Sequence, residues 1–187
     1  MNVEVLIALM NCENEKQFKK ICKLNNIKGM AIASNQIETK GITIKDGVQK
    51  IISYQEKGAS QNRNRLLENA IGDICVFADD DTVFVDNYEK IIENEYKKNK
   101  DADMLIFYAE NQNKHREKNK KIGNKKINKI NLMRIRTYEI TLKKETLEKI
   151  KEKNIKFDTN FGPRWIFCKR RRNSLDSRFI KCWNKNL

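Results

Sequence analysis

At 187 residues, with 39% hydrophobic and 34% charged content, the chain suits a single domain with a substantial core, and no apolar run approaches a membrane span of ~20 residues. The N-terminus shows neither the basic region, the long apolar stretch nor the cleavage site of a secretory signal, so a cytoplasmic location is expected, with contact at the inner face of a membrane through the basic segments. The net charge of +14 sits in two segments: residues 111–130 and 164–187 each hold eight Lys/Arg against one acid, and the rest of the chain is neutral as a set, which argues against a nucleic-acid field spread over the whole domain.

Residues 3–9 form a nearly continuous apolar run, predicted as the first and central strand, which closes at Met10-Asn11. A helix is predicted over residues 14–24, with Phe18, Ile21 and Cys22 on its inner face. Gly29 leads into a second strand, residues 30–33, ending in the polar Ser34-Asn35-Gln36. Residues 37–58, punctuated by Gly41, Gly47 and Gly58, read as a connection with one small strand near 50–54. The segment Gly58-Ala59-Ser60-Gln61-Asn62-Arg63-Asn64 opens a helix through Ile71, with Ser60 as N-cap, a buried stripe of Leu66, Leu67, Ala70 and Ile71, and Gly72 as its end.

Residues 73–82 organise the chain. The apolar Ile74-Cys75-Val76-Phe77-Ala78 reads as a strand buried on both faces, and it ends in Asp79-Asp80-Asp81. Open α/β sheets bind ligands beyond such strand tips. In extended chain Asp79 and Asp81 face one bound group and Asp80 another. Adjacent carboxylates raise one another's pKa values unless a cation compensates, so a divalent metal is expected. An EF-hand loop starting at Asp79 fails, because its glycine position is Phe84 and its final glutamate position is Lys90.

Beyond the acids, Asp86 and Glu89 have capping-box spacing for a helix to about Lys98, buried through Tyr88, Ile91, Ile92 and Tyr96. Residues 103–108 are a further strand; 111–130 are a polar, aperiodic basic loop holding the only histidine, His115; 132–142 are β-like; and 146–153 are a short helix. Phe157-Asp158-Thr159-Asn160-Phe161-Gly162 is a turn. The order of elements predicts an α/β domain with a mainly parallel mixed sheet. The five cysteines, Cys12, Cys22, Cys75, Cys168 and Cys182, have no metal-ligand spacing and read as reduced thiols, with Cys22 and Cys75 packed in the core. No GxGxxG or P-loop is present.

Four features in order carry a resemblance: the first strand closing on Asn11, the Gly58-Ala59-Ser60…Arg63-Asn64 segment, the strand into Asp79-Asp80-Asp81, and Phe157-Asp158…Phe161-Gly162. Together they resemble family 2 glycosyltransferases. That resemblance implies a GT-A, three-layer α/β/α fold over residues 1–162 and metal-dependent, inverting transfer of a sugar from a nucleotide donor, with a UDP-sugar expected. The acceptor would be a glycan or a lipid-linked hydroxyl. Asp81 would ligate Mg²⁺ or Mn²⁺, Asp79 would contact the ribose or the metal, Asp80 would belong to the same donor site, and Asn11 and Asn35 would line the base pocket. Arg63 would approach the diphosphate or orient Asp79. Two departures stand out: Asn35 replaces a base-reading acid, and Thr82 replaces a further Asp.

A third departure follows Gly162. The family's Gly-Glu-Glu or Glu-Asp, source of the acceptor-activating base, is missing, and Arg170-Arg171-Arg172 stand in its place. Encoded AGG-AGA-AGA-AAT, Arg170 through Asn173 read Gly-Glu-Glu-Ile one base later. The adjacent frame across the tail can spell Gly-Gly-Tyr-Phe-Ala-Lys-Gly-Glu-Glu-Ile-Val-Leu. Residues 163–187 are therefore expected to be a frame-shifted basic tail, and the catalytic base is not assigned to any residue of the chain. The alternative is a basic nucleic-acid-binding module built on 111–130 and 164–187, which would bind oligonucleotides with a steep salt dependence.

Overall fold

The computed structural model describes residues 1–109, 135–159 and, as backbone, 182–186. Eight strands form one sheet: β1 (Val3–Met10), β2 (Met30–Gln36), β3 (Thr43–Ile44), β4 (Gln49–Tyr54), β5 (Ile74–Asp79), β6 (Met104–Tyr108), β7 (Ile140–Lys143) and β8 (Cys182–Asn186). Four α-helices among the described residues accompany them: α1 (Glu15–Leu24), α2 (Ala59–Asn69), α3 (Tyr88–Lys98) and α4 (Lys144–Glu152). The spatial order is β3-β4-β2-β1-β5-β7-β6-β8. β4, β2, β1 and β5 run parallel, whereas β7 is antiparallel to both β5 and β6. This is the mainly parallel mixed sheet that the order of elements predicts, with β1 at its centre.

Continuous apolar runs make sense here because both faces of the sheet are covered. On one face Val5, Ile7 and Leu9 of β1 and Val76 and Ala78 of β5 pack under Phe18 and Cys22 of α1 and Tyr88, Ile92 and Tyr96 of α3. On the other, Leu6, Cys75 and Phe77 pack under Leu66 and Leu67 of α2 and Leu147 and Ile150 of α4. The result is three layers, α/β/α. Burying each large aliphatic or aromatic side chain contributes about 1.5–3 kcal/mol. Where the core must accept polarity, it is paired: the Tyr96 hydroxyl meets Thr141 Oγ1 at 2.8 Å and takes the Leu105 N–H at 3.2 Å, while Thr141 donates to Leu105 O at 2.9 Å. These bonds tie α3 to the β6–β7 pair.

Several local expectations need correction. α2 starts at Ala59 with Gly58 as N-cap and no side-chain cap, so Ser60 lies buried in the first turn instead of capping it. Gly58 has φ +134°, which favours glycine, and a Cβ there would strike the side chain of Gln61. α2 also ends sooner than predicted, at Asn69, so Ile71 lies outside the buried stripe at 56% exposed. Gly72 answers a packing demand: a Cβ there would lie 2.5 Å from the Cβ of Glu4, whose Oε2 accepts the Ile71 and Gly72 N–H groups at 2.7 and 2.8 Å. The Asp86–Glu89 capping box does not form. Asn87, in the left-handed region at φ 60°, precedes α3 without a side-chain cap, and Asp86 accepts a hydrogen bond from Asn26 instead. Finally, a 3₁₀ turn, Thr137–Glu139, precedes β7, so among the described residues of the β-like stretch only Ile140, Thr141 and Leu142 lie in a strand.

Candidate functional site

The sheet's carboxyl edge is stepped. Ala8 pairs with both Ser34 and Asp79, so β1 and β2 run on past the end of β5, to Met10 and Gln36. At that step the chain turns at Asn11, exposed and left-handed at φ 55°, a conformation asparagine tolerates better than most residues. Its N–H donates to Gln36 O at 2.9 Å. Asn11 therefore sits exposed at the tip of β1.

Asn35 is placed differently from the expectation of a base-lining side chain. It is fully buried; its Oδ1 accepts the Cys12 N–H at 2.9 Å, and its Nδ2 donates to Cys12 O and Ser53 Oγ, each at 2.8 Å. The amide thus pins the loop after β1 to β2 and presents no polar atom outward. The same device recurs. Gln36 holds Gly58 through Nε2 to O and N–H to Oε1, both 3.0 Å. Asn64 holds Phe157 by a 2.8 Å and a 3.1 Å bond, and Asn62 Nδ2 donates to Leu9 O at 2.9 Å. Each amide replaces a neighbouring strand that the loop lacks, satisfying backbone groups that burial would otherwise orphan.

Arg63 and Asp79 do come together. Arg63, 7% exposed on the inner face of α2, donates from Nη2 to Asp79 Oδ1 at 3.1 Å. Burial lifts the Asp79 carboxyl above the usual range, the Arg63 cation offsets part of that rise, and the charges of Asp81 and Asp80 add to it. Arg65, two residues on, faces outward and pairs with Glu56 and Glu68.

The strand ends at Asp79, so Asp80 and Asp81 occupy a turn, and strand alternation does not decide where they point. Thr82 closes that turn: its N–H donates to Asp79 O at 3.1 Å, and its Oγ1 accepts the Asp79 N–H at 3.0 Å. This gives Thr82 a structural role where the family pattern has an acid. Asp80 and Asp81 are exposed, and among the described residues neither carboxylate makes a hydrogen bond or ion pair. Two residues the sequence did not flag complete the surroundings. Tyr138, in the 3₁₀ turn beside β5, is near enough for the Asp79 charge to contribute to its raised pKa, which burial dominates, and Arg136 Nη1 donates to its hydroxyl at 2.7 Å.

Carboxylate oxygens are the ligand type that hard divalent cations take. Three consecutive carboxylates lie at one tip, the first raised by burial and the other two unpaired. Among the described residues no three His, Cys, Asp or Glu side chains converge as a complete metal site. An ion here would draw its other ligands from water and phosphate, as Mg²⁺ commonly does. Residues 160–162 of the expected turn, His115 and nearly all of both basic segments lie outside the described residues. No described helix is long and apolar enough to cross a membrane. A cavity of about 700 Å³ lies away from the acids, lined by Met1, Asp73, Tyr96, Lys100 and Lys143 among others.

The family model described as Glycosyl transferase family 2 matches residues 31–170. A search of curated proteins returns no match. Solved structures similar to the chain include S. aureus TarS 1-349, at TM-score 0.62 and 14% identity over 87% of this chain and 52% of that one. The same TarS fragment in complex with UDP gives TM-score 0.59 and 13% identity over 86% and 51%, and in complex with UDP-GlcNAc 0.59 and 14% over 84% and 49%. The chain spans about half the length of these fragments.

Proposed function

Because the chain belongs to glycosyl transferase family 2, we propose that it binds a nucleoside diphosphate sugar across the tips of β1, β2 and β5 as the donor half of a glycosyltransferase. The supporting observation is the Asp79–Arg63 pair closing β5, with the unpaired Asp80 and Asp81 beside it. A UDP-sugar is the proposed donor; the complexes of TarS with UDP and UDP-GlcNAc support that choice.

In this reading Asn11 borders the nucleoside, while Asn35 acts one step back by fixing the Cys12 backbone. Asp81 and Asp79 would hold Mg²⁺ or Mn²⁺, which when bound neutralises charge growing on the diphosphate. Arg63 keeps Asp79 in place and favours its ionised form, opposing part of the burial that favours its neutral form. Asp80 supplies further negative potential at the same edge. The reaction is proposed to invert the sugar centre and to deliver it to a glycan or lipid-linked hydroxyl, with membrane contact through the basic segments.

The base that deprotonates such an acceptor is proposed to be missing from this chain, where Arg170-Arg171-Arg172 replace the family's acids. Reading the nucleotides across codons 162–187 tests that point: a neighbouring frame without Gly-Glu-Glu rejects it. Donor binding is tested by titrating the full chain with UDP in Mn²⁺. Saturable binding displaced by UDP-GlcNAc is expected, and its absence rejects the donor site. The nucleic-acid alternative rests on segments of which only the backbone of 182–186 is described, and no observed side chain favours it.

A further inference from the structure

The acidic turn is held from outside its own strand. α1 ends at Asn25, which is 3% exposed, and its Nδ2 donates to the backbone carbonyl of Asp80 at 2.8 Å. The Asn25 carbonyl takes the Phe84 N–H at 3.0 Å. Asn26, left-handed at φ 56°, donates from Nδ2 to Phe84 O and Asp86 Oδ1, both at 3.0 Å. Phe84 is buried and stacks on Tyr88 at 4.4 Å between centroids, which anchors the far end of the same loop. Two consecutive asparagines therefore grip residues 80, 84 and 86, while Thr82 fastens the near side to Asp79.

The contact on Asp80 is to its carbonyl, so its carboxylate stays uncommitted. Three adjacent acids repel, and a turn free to relax would swing them apart. The carbonyl bond opposes that relaxation without neutralising any charge. We propose that Asn25 is a positioning residue for the acidic turn: acting through the Asp80 backbone, it holds the Asp80 and Asp81 carboxylates ready for a divalent cation carrying a diphosphate. The inference rests on the donor-site reading above and assigns it a residue outside the strand tips.

The test compares UDP affinity of the full-length wild type and Asn25→Ala by calorimetry, once in Mn²⁺ and once in EDTA. One lost, largely buried hydrogen bond of about 1 kcal/mol corresponds to roughly fivefold. Asn25→Ala is expected to weaken binding about five- to tenfold in Mn²⁺ and to leave the EDTA value unchanged. A general loss of structure would instead lower both affinities together. Equal Mn²⁺ affinity in wild type and variant, or a parallel loss in both buffers, overturns the proposal while leaving the donor site standing. A wild type that binds no UDP in either buffer overturns both. Should Asn25→Ala fail to fold, Asn25→Ser keeps a polar group at the helix end but is too short to reach the carbonyl, and the same split between buffers is expected of it.

Discussion

Replacing Asn35 by aspartate puts back the residue type that family 2 enzymes carry at this strand end, yet the structure predicts damage. Asn35 is completely buried, and its Nδ2 serves two acceptors, Cys12 O and Ser53 Oγ. A carboxylate there places an oxygen against the Cys12 carbonyl, and Ser53 can donate to it only by giving up Ile42 O, which it meets at 2.6 Å. Leaving the buried Cys12 carbonyl unpaired costs about 1–3 kcal/mol. Burying the new acid raises its pKa by ~2–3 units, another ~3–4 kcal/mol above that pKa at about 1.4 kcal/mol per unit. The expected loss is about 4–7 kcal/mol near pH 8, a large part of an ordinary domain's 5–15 kcal/mol.

The sign follows from linkage. A carboxyl whose folded pKa is raised contributes stability below its unfolded pKa and loses it as pH rises through the folded value. The deficit of Asn35→Asp against wild type should therefore shrink from pH 8 to pH 5. Urea unfolding of both proteins across that range measures it. A variant as stable as wild type at pH 8, with no pH-dependent difference, would refute the inward placement of Asn35 and return it to the base pocket.

Asn64→Ala removes both bonds to the buried backbone of Phe157 and should cost about 2–4 kcal/mol by the same penalty for unpaired buried groups, read as a lowered urea midpoint. Cys12, Cys22 and Cys75 are free and buried, with burial pushing the Cys22 thiol up to about 11 and Cys75 up to about 12. Mass spectrometry after alkylation at pH 8 should find these three unmodified in the native chain and fully labelled in urea.

The architecture was legible because its signal is hydrophobic pattern: the unbroken runs of β1 and β5 need helices on both faces, and the acids at the end of β5 announce a polar edge. Arg63 beside Asp79 was one of two roles that the family resemblance implied, and the structure contains that pair. The amide clamps were not legible. Asn25, Asn35, Gln36 and Asn64 look in sequence like loop polarity, since a side chain that bonds backbone 22 to 93 residues away leaves no periodic trace. Caps failed for a related reason. Ser60 and Asp86 have the right residue type, but tertiary partners and the backbone angles of Gly58 and Asn87 decide where α2 and α3 begin. Tyr138 comes within electrostatic range of Asp79 through the antiparallel pairing of β7 with β5, a topological fact no local motif records.

Asp79-Asp80-Asp81 is proposed to form the metal and diphosphate end of a donor site. Titrating UDP into wild type and Asp81→Ala, each with Mn²⁺ and with EDTA, addresses that proposal most directly. Mn²⁺ is expected to strengthen UDP binding in wild type and to have no effect in Asp81→Ala. An equal Mn²⁺ enhancement in the two proteins would contradict it.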